Sequence, residues 1–173
     1  MQREQITIQD ACEQDLPVIL AIFNEIIAQS TAVFIDQPLS LDELRSWYRT
    51  KRDKGLPVLI ATDAVGIAGF ASLSPFRDRS CYRHSQELSV HVRADARGRG
   101  IGSQLLVAIE IAARTYGSHV LIAGMDAANA QSIRLHERAG FTQVAHMPQV
   151  GRKFGRWLDL VLMQRVLGPD GER

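Results

Sequence analysis

Between an apolar run ending at Val92 and a helical pattern beginning near Ser103, the chain reads Arg97-Gly98-Arg99-Gly100-Ile101-Gly102. Glycine at every second position lets the backbone turn tightly with only main chain on its concave side. The helix behind the loop directs unpaired N–H groups into that concavity, and such a nest binds anions, phosphate above all. Arg97 and Arg99 add positive charge to a site that already favours negative ligands. Glu87 begins the strand that enters the loop and is a candidate to take a proton, provided burial raises its pKa or a water relays the proton. Asn129, Ser132 and His136 are spaced i, i+3, i+7 and share one face of a short helix. His136 could donate a proton, relay one or fill a structural place, and Asn129 could simply cap the helix. Arg77, Arg79 and Arg83 lie in an irregular stretch with Phe76 and Tyr82. Arginine grips a carboxylate with two parallel bonds, and Phe34 and Tyr82 could wall a side-chain pocket. Each of these arginines could equally be a solvated surface charge.

The same spacings exclude several ligands. A Walker loop needs Lys and then Ser or Thr after its last glycine, whereas Ser103-Gln104 follows here. A dinucleotide loop needs glycines at its first, third and sixth positions and an acidic residue about 20 positions on. This loop has them at the first, third and fifth, and the acidic residue is missing. With 173 residues, 46% hydrophobic and 23% charged, the chain fits one ordinary domain with a sizeable core. A net charge of +1 gives no general attraction to nucleic acid or to a membrane surface. No apolar run reaches the length of a membrane span. Cys12 and Cys81 are far apart and lack metal-ligand spacing, so no metal site is expected and a reduced, cytoplasmic setting is.

The elements that must position these residues follow from periodicity. Ile6 and Ile8 alternate with polar residues in a first strand, and Leu16, Ile19, Leu20, Phe23, Ile26 and Ile27 fall at helical spacing. Ser40 and Glu43 form a capping-box signature for a second helix, which Gly55 ends. The spacing predicts strands over 57–62 and 67–73, joined by the turn 63–66, then a strand over 86–92 into the glycine loop. A helix behind the loop, an apolar strand over 120–125, a helix over 129–139 and strands over 141–146 and 157–166 complete the chain. The expected order is β-α-α-β-β-β-α-β-α-β-β, an α/β single domain over 1–167 with a polar tail, 168–173.

The pattern Arg-x-x-Gly-x-Gly at 97–102 resembles the pyrophosphate loop of the GNAT superfamily of acetyl-CoA-dependent N-acetyltransferases. Glu87-Leu88-Ser89-Val90-His91-Val92, the stretch from Asn129 to Glu137, Gly140-Phe141 and the run from Val150 to Asp159 are similar to phosphinothricin N-acetyltransferases in order and spacing. The resemblance spans nearly the whole chain. It implies a mixed, mostly antiparallel sheet flanked by helices, and acetyl-CoA as cofactor. It implies acetylation of the free amine of a small amino acid such as phosphinothricin, methionine sulfoximine or methionine sulfone. Glu87 is then the general base and His136 a second catalytic residue. The cofactor-binding set is Leu88, Ser89, Val90, Val92, Arg97, Gly98, Arg99, Gly100, Ile101, Gly102, Ser103, Asn129 and Ser132. Phe34, Phe76, Arg77, Tyr82 and Glu87 would meet the acceptor, and a homodimer is implied. His91 departs from the tyrosine common at its position in relatives. Two other readings stand beside this one: a protein N-terminal or polyamine acetyltransferase of the same fold, and an acyl-CoA sensor without catalysis. A basic acceptor loop argues against a polyamine.

Overall fold

The computed structural model describes residues 6–168, so all but the first residue of the expected tail lies outside the described part. Eleven elements follow in the expected order: β1 (Thr7–Asp10), α1 (Leu16–Gln29), α2 (Leu41–Asp53), β2 (Val58–Asp63), β3 (Gly66–Pro75), β4 (Ser85–Val92), α3 (Ile101–Tyr116), β5 (Val120–Asp126), α4 (Ala130–Arg138), β6 (Thr142–Lys153) and β7 (Arg156–Val166). The capping box of α2 is present: the Ser40 N–H donates to Glu43 Oε2 at 2.7 Å, and the Glu43 N–H donates to Ser40 Oγ at 3.3 Å. Gly55, at φ +67°, then carries the chain out of the helix in a conformation a β-carbon would resist.

The strands form one seven-stranded sheet in the order β1-β2-β3-β4-β5-β7-β6. Every neighbouring pair is antiparallel except β4 and β5, which run parallel. The fold is therefore the mixed, mostly antiparallel α/β sheet expected. The parallel pairing lasts only three residues, Ser85–Glu87 against Val120–Ile122. Beyond Glu87 the two strands part, and a gap opens in the middle of the sheet.

Each face of the sheet carries its own core. On one side α1 and α2 set Leu16, Ile19, Ile22, Leu44 and Tyr48 against Val58, Ile60 and Phe70. On the other, α3 sets Ile101, Leu105, Leu106 and Ile109 against Ala71, Leu73, Leu88, Leu121 and Met163. Leu105 is fully buried, and truncating it to Ala would cost about 2–5 kcal/mol through lost burial and the cavity left behind.

Most boundaries lie within two residues of the sequence reading, and two differences bear on the site. Helix α3 begins at Ile101 rather than near Ser103, because Gly100 at φ +82° turns the chain directly into the helix. Strand β6 continues to Lys153 instead of stopping at His146. Its register with β7 shifts twice, between Gln143 and Ala145 and between Met147 and Gly151, and the second shift takes in Pro148. A bulged edge strand tolerates the missing proline N–H that would end an interior one.

Candidate active site

The parting of β4 from β5 creates a cavity of about 1270 Å³. Its walls are Leu88–Val92 of β4, Ala123–Met125 of β5, the 97–103 loop, one face of α4, and the segment 30–35 that follows α1. One end is an anion site. Gly98 and Gly100 adopt φ +76° and +82°, and a β-carbon at either would meet nothing within 4 Å, so the concave side of the loop is open. No side chain caps α3, which leaves its first-turn N–H groups directed at that opening. Arg97, in the loop itself, lines the cavity, as do Arg134 and Arg138 from α4, two basic residues that the sequence reading did not single out. Arg99 points elsewhere. Its guanidinium bonds Asp63 Oδ2 at 2.9 Å, and Asp63 is buried in the β2–β3 turn, where its Oδ1 accepts from the Val65 and Gly66 N–H groups. Arg99 therefore ties the loop to the sheet.

At the middle of the cavity, β3 and β4 present a ladder of facing residues on the α1–α2 side. Phe70 pairs with His91, Ser72 with Ser89, and Ser74 with Glu87. His91 packs between Phe23 and Phe70 with centroids 5.2 and 5.0 Å away, and burial lowers its pKa to about 4, so it is neutral near pH 7. Ser72 and Ser89 share a hydrogen bond of 3.0 Å. Glu87 faces the cavity, with its Oε1 lying 3.3 Å from where a β-carbon of Gly124 would stand. The absence of a side chain on β5 at this point is what makes room for the carboxylate. Partial enclosure pushes the Glu87 carboxyl above its ordinary pKa, and the charges of Lys51 and Arg77 oppose that rise.

Lys51 is the charged group the sequence reading missed. It sits in the last turn of α2 among Arg49, Arg52 and Lys54, a pattern indistinguishable from a solvated helix end. The fold instead buries it, with its Nζ donating to the Leu73 carbonyl and the Ser74 hydroxyl and lying 4.9 Å from the centre of the Trp47 ring. Burial lowers its pKa to about 8, against the pull of Glu87 in the other direction.

The third part of the cavity is the 30–35 segment, fastened from two sides. Thr31 donates to Asp126 at the end of β5. Lys153, buried at the tip of the β6–β7 hairpin, donates to the carbonyls of Ser30 at 2.7 Å and Val33 at 3.1 Å. Phe34, on the cavity wall, lies over Gly151, where a β-carbon would stand 2.6 Å from the ring. Gly151, Gly124 and Ser74 carried no sequence signal for this work, since each acts through what it lies against.

The expected helix face also reaches the cavity, with qualifications. Asn129 caps α4, its Oδ1 accepting from the Ser132 N–H at 3.1 Å, and both residues line the wall. His136 lines it too, but its Nδ1–H donates to the Ser132 carbonyl at 2.8 Å, and its Nε2 is enclosed without a hydrogen-bond partner. Burial holds this imidazole below its usual pKa. Of the acceptor candidates, Phe34 and Glu87 stand on the wall, whereas Phe76, Arg77 and Tyr82 do not line the cavity. These three cluster beside it: Phe76 meets Tyr82 edge to face at 6.0 Å, and the Arg77 guanidinium lies 5.1 Å from the Phe76 ring centre. Among the described residues no group of three or more His, Cys, Asp or Glu could hold a metal ion, and no helix is long and apolar enough to cross a membrane.

Comparison with known proteins bears on this arrangement. The profile of the acetyltransferase (GNAT) family matches residues 19–141. The chain is 46% identical over 164 residues to an L-methionine sulfoximine/L-methionine sulfone acetyltransferase of Pseudomonas aeruginosa, covering 94% of this chain and 95% of that one. A ribosomal-protein-alanine N-acetyltransferase from Brucella melitensis superposes with a TM-score of 0.91 at 44% identity, over 93% of this chain and 99% of that one. A phosphinothricin acetyltransferase from Sinorhizobium meliloti, solved in complex with acetyl-CoA, superposes with a TM-score of 0.91 at 36% identity, over 94% and 89%.

Proposed function

The chain belongs to the acetyltransferase (GNAT) family, and from that premise we propose that it acetylates the α-amine of a small zwitterionic amino acid of the methionine sulfoximine, methionine sulfone or phosphinothricin type. It is an N-acetyltransferase that uses acetyl-CoA. The observation that carries the acceptor reading is the continuity of the cavity: an open, uncapped helix N-terminus at one end, a carboxylate with an arginine nearby at its middle, and an aromatic wall beyond.

The residues present fit the cofactor. The open glycine cradle, the α3 N–H groups and Arg97 would hold its pyrophosphate, and the edge of β4 facing the gap would take its extended arm as an added strand. When bound, acetyl-CoA would supply an acetyl thioester open to attack by a neutral amine, the amide C–N bond forming as the C–S bond breaks and coenzyme A leaving as its thiol once a proton is returned to the sulfur. An α-amine is mostly protonated near pH 7, so a base is required. Glu87 fills that role, directly or through a cavity water, because a carboxyl lifted above its ordinary pKa is a stronger base. A main-chain N–H of β4 near Val90 or Val92 stabilises the developing oxyanion. His136 stays neutral near pH 7 and enters as a relay only once its Nε2 is uncovered, not as a standing acid. Arg77, beside the cavity and close enough for its charge to act on Glu87, reaches in to hold the acceptor carboxylate, and Phe34 closes over the acceptor side chain. The protein acts in the cytoplasm as a homodimer. The exposed apolar residues Val144, Met147, Val150, Phe154 and Trp157 of the β6–β7 hairpin support that assembly, which light scattering at micromolar concentration would test.

The similarity to a ribosomal-protein-alanine N-acetyltransferase favours a second reading, a peptide with a free N-terminal alanine as acceptor. One acceptor screen separates the two. With acetyl-CoA and thiol detection, methionine sulfone, methionine sulfoximine and phosphinothricin are acetylated, and an alanine-headed peptide and spermidine are not. Faster turnover of the peptide or of spermidine overturns the proposal. Glu87→Gln lowers turnover by about 10²–10⁴-fold while acetyl-CoA affinity is kept, and a loss under threefold removes Glu87 as the base.

A further inference from the structure

A buried lysine is costly to keep charged, and on the outer turn of α2 a leucine would fill the same space more cheaply. Lys51 is nonetheless enclosed, and its ammonium is spent on two specific acceptors, the Leu73 carbonyl and the Ser74 hydroxyl. Ser74 is the cross-strand partner of Glu87, and side chains of such a pair lie on the same face of a sheet. Ser74 also lines the cavity. The ammonium thus reaches the active site from α2, on the same face of the β3–β4 ladder as Glu87. We infer that Lys51 is a positioning residue of acetyl transfer, its enclosed ammonium holding the Glu87 carboxylate ionised and in place through Ser74 and β3. This rests on Glu87 being the base.

The charges around the pair make the direction definite. Glu87 feels Lys51 from α2 and Arg77 from the segment after β3, both of which favour its ionised form against the enclosure that opposes it. Lys51 feels Glu87, which favours its charge, and Lys54, which does not. Arg156 and His136 border the same cavity, and His91 lies two rungs along the ladder and stays neutral. Removing the Lys51 charge therefore leaves Arg77 as the only opposing charge among those acting on Glu87, and the carboxyl holds its proton to higher pH. Acceptor and cofactor displace water from the cavity and strengthen the need for such a partner.

The test compares Lys51→Met with the parent enzyme, using one acceptor so that the acceptor's own titration cancels in the ratio of kcat/KM. The ratio falls to about one tenth below the acidic limb, the effect expected when a carboxyl titrates about one pH unit higher. It returns to one above that limb, where the Glu87 carboxyl is ionised in both proteins. Acetyl-CoA affinity is unchanged, and Lys51→Arg restores the acid limb. A merely structural lysine gives a ratio below one but flat with pH, and that result overturns the inference. Should Lys51→Met fail to fold, the isosteric Glu87→Gln serves from the other side. With the negative charge gone, Lys51 titrates lower than in the parent by NMR of labelled lysine, and an unmoved titration overturns the coupling. This readout needs no turnover, so it stands even if Glu87→Gln proves fully active. In that event the base assignment falls while the Lys51–Glu87 coupling is judged on its own.

Discussion

Replacing Gly151 by Ala adds one methyl group to the β6–β7 hairpin and should act almost entirely on the acceptor. Gly151 is not in the left-handed region, so alanine meets no backbone strain there. The new β-carbon would stand 2.6 Å from Cδ2 and 2.8 Å from Cε2 of Phe34. Carbon atoms pack comfortably at about 3.5–4.0 Å, so the ring must retreat by about 1 Å. It has somewhere to go, because Phe34 is 39% exposed, and the cost to stability stays near the low end of overpacking, about 1 kcal/mol. The displaced ring walls the acceptor end, where a misplacement of about 1 Å can cost up to about 100-fold in rate. Steady-state kinetics should show kcat/KM for methionine sulfone reduced about 10–100-fold. Calorimetry should show acetyl-CoA affinity altered by less than about threefold, since the 97–102 loop is at the other end of the cavity. In a Phe34→Ala background the methyl group has nothing to strike, and Gly151→Ala should add almost no further loss. A single variant with acceptor kcat/KM within threefold of the parent would refute the reasoning, as would a full additional loss in the double variant.

The remaining expectations concern other parts of the site. Gly100→Val projects a branched side chain into the open cradle and lowers acetyl-CoA affinity at least tenfold by calorimetry. Because Gly100 sits at φ +82°, valine there also costs about 1–2 kcal/mol in stability, and unchanged affinity in a folded variant counts against the cradle. Arg77→Ala raises KM for the amino acids by about 10–100-fold through loss of one charge-assisted contact of about 1.5–3 kcal/mol, and an unchanged KM removes Arg77 from the acceptor site. His91 carries a pKa of about 4 in the fold against 6.5 unfolded, so the unfolded chain binds the proton more readily and stability falls as pH drops from about 6.5 toward 4. Its share of that loss is at most about 3.4 kcal/mol, and urea unfolding of His91→Phe at pH 7 and pH 5 should show a shallower decline than the parent.

Backbone chemistry was legible in the sequence; side-chain company was not. The glycine loop, the capping box at Ser40 and Glu43, and the turn at Asp63–Gly66 each depend on residues close in the chain, and each formed where the pattern put it. The order of all eleven elements followed from the same local signals. The reach of β6 did not, because Pro148 and Gly151 look like breakers until an edge strand with bulges accommodates them. Lys51 was hidden, and the acceptors of Lys153 were, for a related reason. A lysine in a basic helix turn or at a hairpin tip reads as solvated, and only tertiary packing turns its ammonium onto the carbonyls of a distant segment. The partner of Arg99 is likewise distant in sequence, a buried aspartate 36 residues away.

The three-residue parallel seam has a thermodynamic consequence. Between them, β4 and β5 join a four-stranded block to a three-stranded one through the pairs Ser85–Val120, Gln86–Leu121 and Glu87–Ile122. Main-chain edges facing a gap are donors and acceptors waiting for a partner, and an extended amide-bearing ligand lying between them does the work of a strand. The protein's own stability is then linked to its donor substrate. At about 100 times the dissociation constant, binding adds about 2.7 kcal/mol to the folded state. That gain should appear as slowed amide exchange along 88–92 and 123–126, so that the enzyme is most rigid when charged for turnover and loosest when acetyl-CoA runs short.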